Sequence, residues 1–393
     1  MPFLSSKTSW RHCFVASNIT AGLVTVLVAY TSSVALVFEA ARAAGASPQQ
    51  TASWLWALGI GMGLTCIGLS LRFRAPVVTA WSTPGAALLA SALHGVPMAQ
   101  AIGVFVFASA LAALAGFSGA FERLMHRIPR PLAAGMLAGV LLEFGLGVFH
   151  ALGGQPLLVG AMLLTLLLAR RLAPRYAVAL AFAAGVLVAT LVGHWRLPAL
   201  PLHLTHPVWV TPRFAWGSLL GIGLPLFVVS MASQNMPGIA VLRNNGYATP
   251  VSPLVGWSGL TGVLLAPFGA FSCNLAAITA AICMGPEADP EPSQRWRASV
   301  WAGAFYVVTG LLGGSVAALF AAFPQALVAA IAGLALLSSL GNSLLSALAE
   351  DAWRDAALVT FLVTASGFSL GGIGSAFWGL VLGLGTAALG RRA

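Results

Sequence analysis

The sequence predicts an all-α polytopic membrane protein with 14 transmembrane segments arranged as a 7+7 inverted repeat. Segments 3 and 10 are each expected to break into a short extended piece plus a half-helix. Three observations carry this expectation. Of 393 residues, 59% are hydrophobic and only 7% charged, with mean hydropathy +0.92. Soluble domains carry roughly 25% charged residues, so this chain cannot cover itself with polar surface in water. Its basic residues sit beside apolar runs, and two interrupted apolar stretches recur about half a chain apart.

Spanning a hydrocarbon layer of ~30 Å takes about 20 helical residues. The first run, 18–38, follows Lys7 and Arg11 and is too long for the core of a signal peptide, about 7–15 residues, so it is expected to remain as a span. Apolar runs place spans at 17–39, 52–71, 97–121, 131–149, 155–170, 175–193, 216–242, 250–266, 297–320, 324–343, 354–366 and 371–390. The stretches 75–94 and 267–284 are interrupted by Pro, Gly and polar residues, leaving about 12 helix-like residues each, or about 18 Å of helix. The remainder must be extended chain buried against protein or lining a cavity. With these two counted as crossings, 16 of the 19 basic residues fall on the cytoplasmic side and only Arg42, Arg196 and Arg213 outside, a positive-inside bias that places both termini in the cytoplasm. The +10 charge is therefore read as topology, with no nucleic-acid partner.

Internal matches support the repeat. Ala75-Pro76 recurs as Ala266-Pro267, and Pro129-Arg130-Pro131-Leu132 as Pro324-Gln325-Ala326-Leu327. Near-constant offsets at half the chain length, with broken helices in matching positions, point to a secondary transporter with its site at mid-membrane.

The first broken segment reads Trp81-Ser82-Thr83-Pro84-Gly85 and the second Phe271-Ser272-Cys273-Asn274-Leu275. A hydroxyl before proline is a helix-start signal, and Asn274, opposite Thr83 in the repeat, is another good cap. Two half-helices beginning near Thr83 and Asn274 would direct their N-termini at one anion; two kinked helices with nothing bound are the alternative. Inside the eighth span, Ser230-Met231-Ala232-Ser233-Gln234-Asn235-Met236-Pro237-Gly238 joins adjacent amides to a proline that frees the Ser233 carbonyl. The amides either hold substrate, Gln234 ahead of Asn235, or bridge helices. Substrate-binding candidates are therefore Trp81, Ser82, Thr83, Gln234, Asn235, Phe271, Ser272, Cys273 and Asn274, with Trp81 and Phe271 against an aromatic ring.

Glu143 lies well inside an apolar span and Glu39 three residues before Arg42. Each is a candidate for proton coupling, with helix packing and an interfacial ion pair as their respective alternatives. His94 reads as a loop residue, and His194, His203 and His206 as loop residues with no metal-ligand spacing. The acidic run Glu287, Asp289, Glu291 reads as solvated. Cys13, Cys66, Cys273 and Cys283 offer neither a CxxC pair nor a disulfide framework. No metal, cofactor or catalytic motif is found, and an intramembrane enzyme lacks its dyad.

The strings AWSTPGAALL (80–89), LPLFVVSMASQNMPGIAVLRNNGY (224–247), NLAAITAAIC (274–283), AGLALL (332–337) and FLVTASG…GIGSAFWGL (361–380) resemble the benzoate/proton symporter family, BenE. That family is similar in architecture to the nucleobase–ascorbate transporters. The resemblance implies proton-coupled uptake of benzoate or a related aromatic carboxylate, with other organic or inorganic anions as the alternative. It also implies core regions at 1–121 and 214–320, gate regions at 122–213 and 321–393, and a homodimer. The near-absence of lysine beside 18 arginines, with abundant Ala, Gly and Leu, points to a bacterial chain, for which a helical bundle is expected in the inner membrane. The acidic side chains by which nucleobase carriers hold substrate are replaced here by Gln234 and Cys273-Asn274, which argues against nucleobases.

Overall fold

A computed structural model describes residues 15–119, 129–192 and 204–390. Lys7, Arg11, Cys13, Arg123, Arg127, His194, Arg196, His203, Arg391 and Arg392 lie outside them. In chain order the elements are α1 (Ala16–Ala43), α2 (Pro48–Phe73), β1 (Thr79–Ala80), α3 (Thr83–Ala92), α4 (Met98–Phe117), α5 (Arg130–Gly154), α6 (Pro156–Leu172) and α7 (Ala177–Leu191). There follow α8 (Trp216–Asn244), α9 (Val251–Leu265), β2 (Asn274–Leu275), α10 (Ile278–Met284), α11 (Trp296–Leu311), α12 (Gly313–Ala321), α13 (Gln325–Leu348), α14 (Arg354–Ala365) and α15 (Ser375–Gly390).

The chain is all-α and polytopic, but the expected fourteen crossings in a 7+7 inverted repeat are not found. Among the described residues seven helices are long and apolar enough to cross a membrane: α1, α2, α4, α5, α8, α9 with its following turn, and α13. An eighth is added if the pair Pro292–Leu311 and Gly313–Ala321, bent by 66°, counts as one span. The reason is helix length. The runs 155–170, 175–193, 354–366 and 371–390 yield helices of 17, 15, 12 and 16 residues. At 1.5 Å per residue these reach about 18–26 Å, short of ~30 Å. The broken segments contribute only 10 and 7 helical residues. The alternation that placed both termini on one side loses its basis with the count.

Local chemistry explains the helix ends. Ser47 and Gln50 form a reciprocal capping box ahead of α2, with Pro48 in its first turn. At the far end Arg74 adopts a left-handed conformation (φ 50°) and its guanidinium lies over the Trp296 ring at 4.6 Å. This is where the chain leaves the helix for Ala75-Pro76. After α9 the corresponding turn is made by Gly269 (φ 106°), and the Trp54 ring occupies the space a side chain would need.

α8 is one apolar helix with two π turns, Leu219–Gly223 and Met231–Asn235. Each ends two residues before a proline, Pro225 or Pro237. A proline cannot donate to the carbonyl four residues back and its ring crowds that carbonyl. The wider π turn absorbs the misfit without ending the helix.

The helices pack closely through glycine. A Cβ on Gly59 of α2 would lie 2.5 Å from Gly310 Cα of α11, and one on Gly116 of α4 would collide with Gly256 of α9. α5 packs along α13 and α14, where Gly135 meets the Ala357 carbonyl. Residues 204–215 run extended across helix ends, with Val210 N–H donating to Pro267 O and Arg213 N–H to Ala99 O, both backbone bonds.

Gly59→Ala should destabilise the protein by about 1–3 kcal/mol, because backbone must move to admit the methyl group. Gly341→Ala, on a site open to space, should be neutral or slightly stabilising. Thermal unfolding of the two variants in mild detergent checks the contrast.

Candidate functional site

The two broken segments meet inside the molecule. β1 and β2 pair antiparallel, Thr79 opposite Leu275 and Ala80 opposite Asn274, and Ala276 N–H donates to Val78 O at 2.9 Å. Side chains satisfy the other backbone donors of the first segment. Val77 N–H reaches Ser70 Oγ (3.2 Å), Thr79 N–H reaches Cys66 Sγ (3.1 Å), Trp81 N–H reaches Met62 Sδ (3.1 Å) and Ser82 N–H reaches Ser272 Oγ (3.0 Å). Backbone this deep has no water to turn to, so each donor needs such a partner.

Beside this pair lies a narrow cavity with an empty volume of about 250 Å³, space open to the outside included. Its walls are Ala108, Ser109 and Ala112 of α4, Leu226, Phe227, Ser230 and Met231 of α8, Gly259 of α9, and the run Phe271–Asn274. Four predicted residues, Phe271, Ser272, Cys273 and Asn274, therefore share one wall. Phe271 is fully buried against Phe105 and Trp54, with ring centroids 6.1 and 6.5 Å away.

Asn274, the amide on the cavity lining, is paired with a second buried amide, Asn235, that is not part of the lining. Asn235 and Asn274 are 1% and 2% exposed. Asn235 Oδ1 accepts from Leu275 N–H and its Nδ2 donates to Asn274 Oδ1, both at 2.9 Å. Asn274 Nδ2 and Ser230 Oγ are buried without a hydrogen-bond partner. Two unsatisfied polar groups on residues that line one cavity are costly unless a ligand or water completes them.

The remaining candidates are placed elsewhere. Ser82, not Thr83, caps α3: its Oγ accepts from Gly85 N–H at 2.9 Å. Asn274 caps nothing, because it belongs to β2, and α10 begins at Ile278 and is seven residues long. The expected pair of opposed helix N-termini is thus replaced by side-chain donors. Trp81 turns toward α1, donating from Nε1 to Ser33 Oγ (2.9 Å) and packing edge-on against Tyr30. Gln234 is half-buried and off the cavity wall. In an α-helix Ser230 and Gln234 would share a face, but the π turn brings Ser230 and Asn235 together instead. Ser230 opens the eighth-span motif without being a binding candidate itself, and Ala and Ser on α4 look in the sequence like ordinary packing positions.

Neither acidic candidate lines the cavity. Glu143 is exposed on the outer side of α5, and Glu39 lies 3.6 Å from Arg42 in an ion pair. His94 follows α3 and is exposed. The run 287–291 is not simply solvated: Asp289 is 8% exposed, accepting from Asn18 Nδ2 (3.1 Å) and Glu291 N–H (3.0 Å). Arg295 donates to Asp289 O and Met284 O, both at 2.8 Å, and so caps the end of α10. Tyr247 donates its hydroxyl proton to Pro292 O, and burial raises its pKa against the opposing effect of Arg295, which keeps that proton in place.

The family described as "Benzoate membrane transport protein" matches residues 13–389. The chain belongs to the BenE family. It is 49% identical over 366 residues to "Inner membrane protein YdcO" of Escherichia coli (strain K12), covering 93% of this chain and 94% of that protein. It is 40% identical over 368 residues to "Benzoate membrane transport protein" of Acinetobacter baylyi (strain ATCC 33305 / BD413 / ADP1), covering 94% and 93%. Among solved structures this BenE-family chain superposes on SLC26A9 with TM-score 0.66 at 15% identity, covering 98% of this chain and 67% of that one. The transmembrane domain of the cyanobacterial bicarbonate transporter BicA gives 0.62 at 12%, covering 94% and 97%. The BenE-family chain therefore shares their fold and is a multi-pass membrane transport protein, which sets its class as transport and not catalysis.

Ser272→Ala removes the acceptor of the Ser82 N–H and should cost about 1–3 kcal/mol. Ser91→Ala, which loses only a half-buried bond to Leu88 O, should cost less; melting temperatures of the two variants make the comparison.

Proposed function

We propose that this protein is a secondary transporter of the bacterial inner membrane that takes up benzoate or a related aromatic carboxylate together with protons, by alternating access. The observation that carries the reading is the cavity that combines the unpaired donors Asn274 Nδ2 and Ser230 Oγ with the Phe271 ring. A carboxylate is an acceptor-only group that can take both donors, and charge-assisted bonds of this kind are the stronger ones. The ring would lie against Phe271, with Ser272 and Cys273 beside it. Among the substrate candidates, Trp81, Ser82, Thr83 and Gln234 support the wall in this reading, while Phe271, Ser272, Cys273 and Asn274 face the ligand. The family's description and that of the Acinetobacter relative support benzoate as the substrate. Regions 1–121 and 214–320 act as the substrate-carrying core, regions 122–213 and 321–393 as the gate, and two copies form the working dimer.

Proton coupling is assigned to Glu143. Among the described residues it is the carboxylate set in the middle of a long apolar helix, where the ionised form is costly. Glu39 is held by Arg42 and is the less suitable carrier.

Uptake of labelled benzoate into proteoliposomes, with and without an inward proton gradient, tests the reading. Ser230→Ala and Asn274→Ala should each raise the apparent Kd for benzoate roughly tenfold. Phe271→Ala should weaken benzoate more than acetate. Glu143→Gln should abolish gradient-driven uptake and spare benzoate exchange; equal loss of both would mark Glu143 as structural. Competition by bicarbonate as strong as by benzoate would shift the substrate to small inorganic anions.

A further inference from the structure

The cavity's two orphaned groups differ in kind. A serine hydroxyl both donates and accepts, and can turn to suit either kind of ligand. An asparagine offers a donor at one end and an acceptor at the other, so the orientation of the Asn274 amide decides what that wall recognises. That orientation is set by one neighbour.

Leu275 N–H is backbone and can only donate. Its partner at 2.9 Å on Asn235 must be the acceptor end, Oδ1. The other end of the Asn235 amide is therefore Nδ2, which can only donate, and its partner at 2.9 Å on Asn274 must be Oδ1. Asn274, a residue of the cavity lining, is left with a buried Nδ2 that has no partner. The two amide orientations follow from a fixed backbone donor, so reversing either one breaks a buried bond. Asn235 is 1% exposed, is not part of the cavity lining, and also has Met231 Sδ 3.5 Å from its Nδ2.

We propose that Asn235 is a positioning residue: its side-chain amide holds Asn274 with Nδ2 toward the cavity and so makes the site select ligands that accept hydrogen bonds, anions foremost. The inference rests on the reading of this cavity as the substrate site. Asn235 acts through Asn274 and touches no ligand itself. Without it the Asn274 amide turns freely, and its carbonyl oxygen faces an incoming carboxylate for part of the time.

A double-mutant cycle on the full-length protein in detergent tests this, with binding of radiolabelled benzoate as the readout. Asn235→Leu keeps the branched outline of the side chain, with somewhat more bulk, and removes its hydrogen bonds. It should weaken benzoate about tenfold, the scale of one charge-assisted bond. Asn274→Ala should do the same, and the double variant should bind within about twofold of Asn274→Ala alone, since nothing is left to orient. Losses that multiply to about a hundredfold would overturn the proposal, because Asn235 would then act independently of Asn274. Wild-type affinity in Asn235→Leu would overturn it as well. Wild-type affinity in both Asn274→Ala and Ser230→Ala would overturn the substrate site and the positioning role together, whereas loss in those two with none in Asn235→Leu defeats the positioning role alone. Asn235→Ser runs the same cycle should the leucine variant fail to fold, as read from its melting curve.

Discussion

The structure depends on pairing two stretches of non-helical backbone in an apolar interior. An unsatisfied peptide group there costs several kcal/mol, so residues 77–82 and 272–276 are tolerable only together. Their mutual bonds, with the α2 side chains Met62, Cys66 and Ser70 on the first segment and Asn235 of α8 on the second, fix where α2 and α8 lie against them. The cavity follows from this arrangement: it is the space left where Phe271–Asn274 passes α4 and α8 without helical packing.

α8 is the other half of the arrangement. Its prolines would break a regular helix, and its π turns keep it continuous at the cost of one extra residue per turn. That residue shifts every side chain beyond it by about 100° around the axis, as 3.6 residues make a turn. The shift is why Asn235, and not its neighbour, reaches the second broken segment. A helical wheel drawn through Ser230 and Gln234 gives the wrong face.

Much of the architecture was legible in the sequence, and the reasons are local. Ser-Thr-Pro marks the start of α3, and Ala-Pro marks the two places where the chain leaves a helix for a broken segment, because caps and prolines act within one turn. Apolar runs reveal that segments belong in a bilayer but not how long each helix stays straight. The run 297–320 carries no charge after Arg297, yet its helices meet at 66°. Similarly, 267–284 holds enough helix formers for about three turns and makes two, because Asn274 gains more as a strand residue opposite Ala80 than as a cap. Asp289 was misread for a related reason: its partner Asn18 lies 271 positions away, beyond the reach of any local pattern. Family resemblance located the motifs more reliably than it located their contacts.

The glycine seams have a bearing on how the molecule can move. Where Gly59 faces Gly310 and Gly116 faces Gly256, backbone lies on backbone with no side chain between. Such a contact forms without freezing any rotamer, so it loses no side-chain entropy, and it gains dispersion at the shortest helix separation available. At the crossing point itself it leaves nothing to repack, with Phe117 and Val307 filling the seams beside it. α2 with α11, and α4 with α9, consequently behave as fused pairs, and changes of shape fall to seams filled by larger, adjustable side chains such as Phe38, Phe182 and Phe320, whose rings stack where α1, α7 and α12 meet.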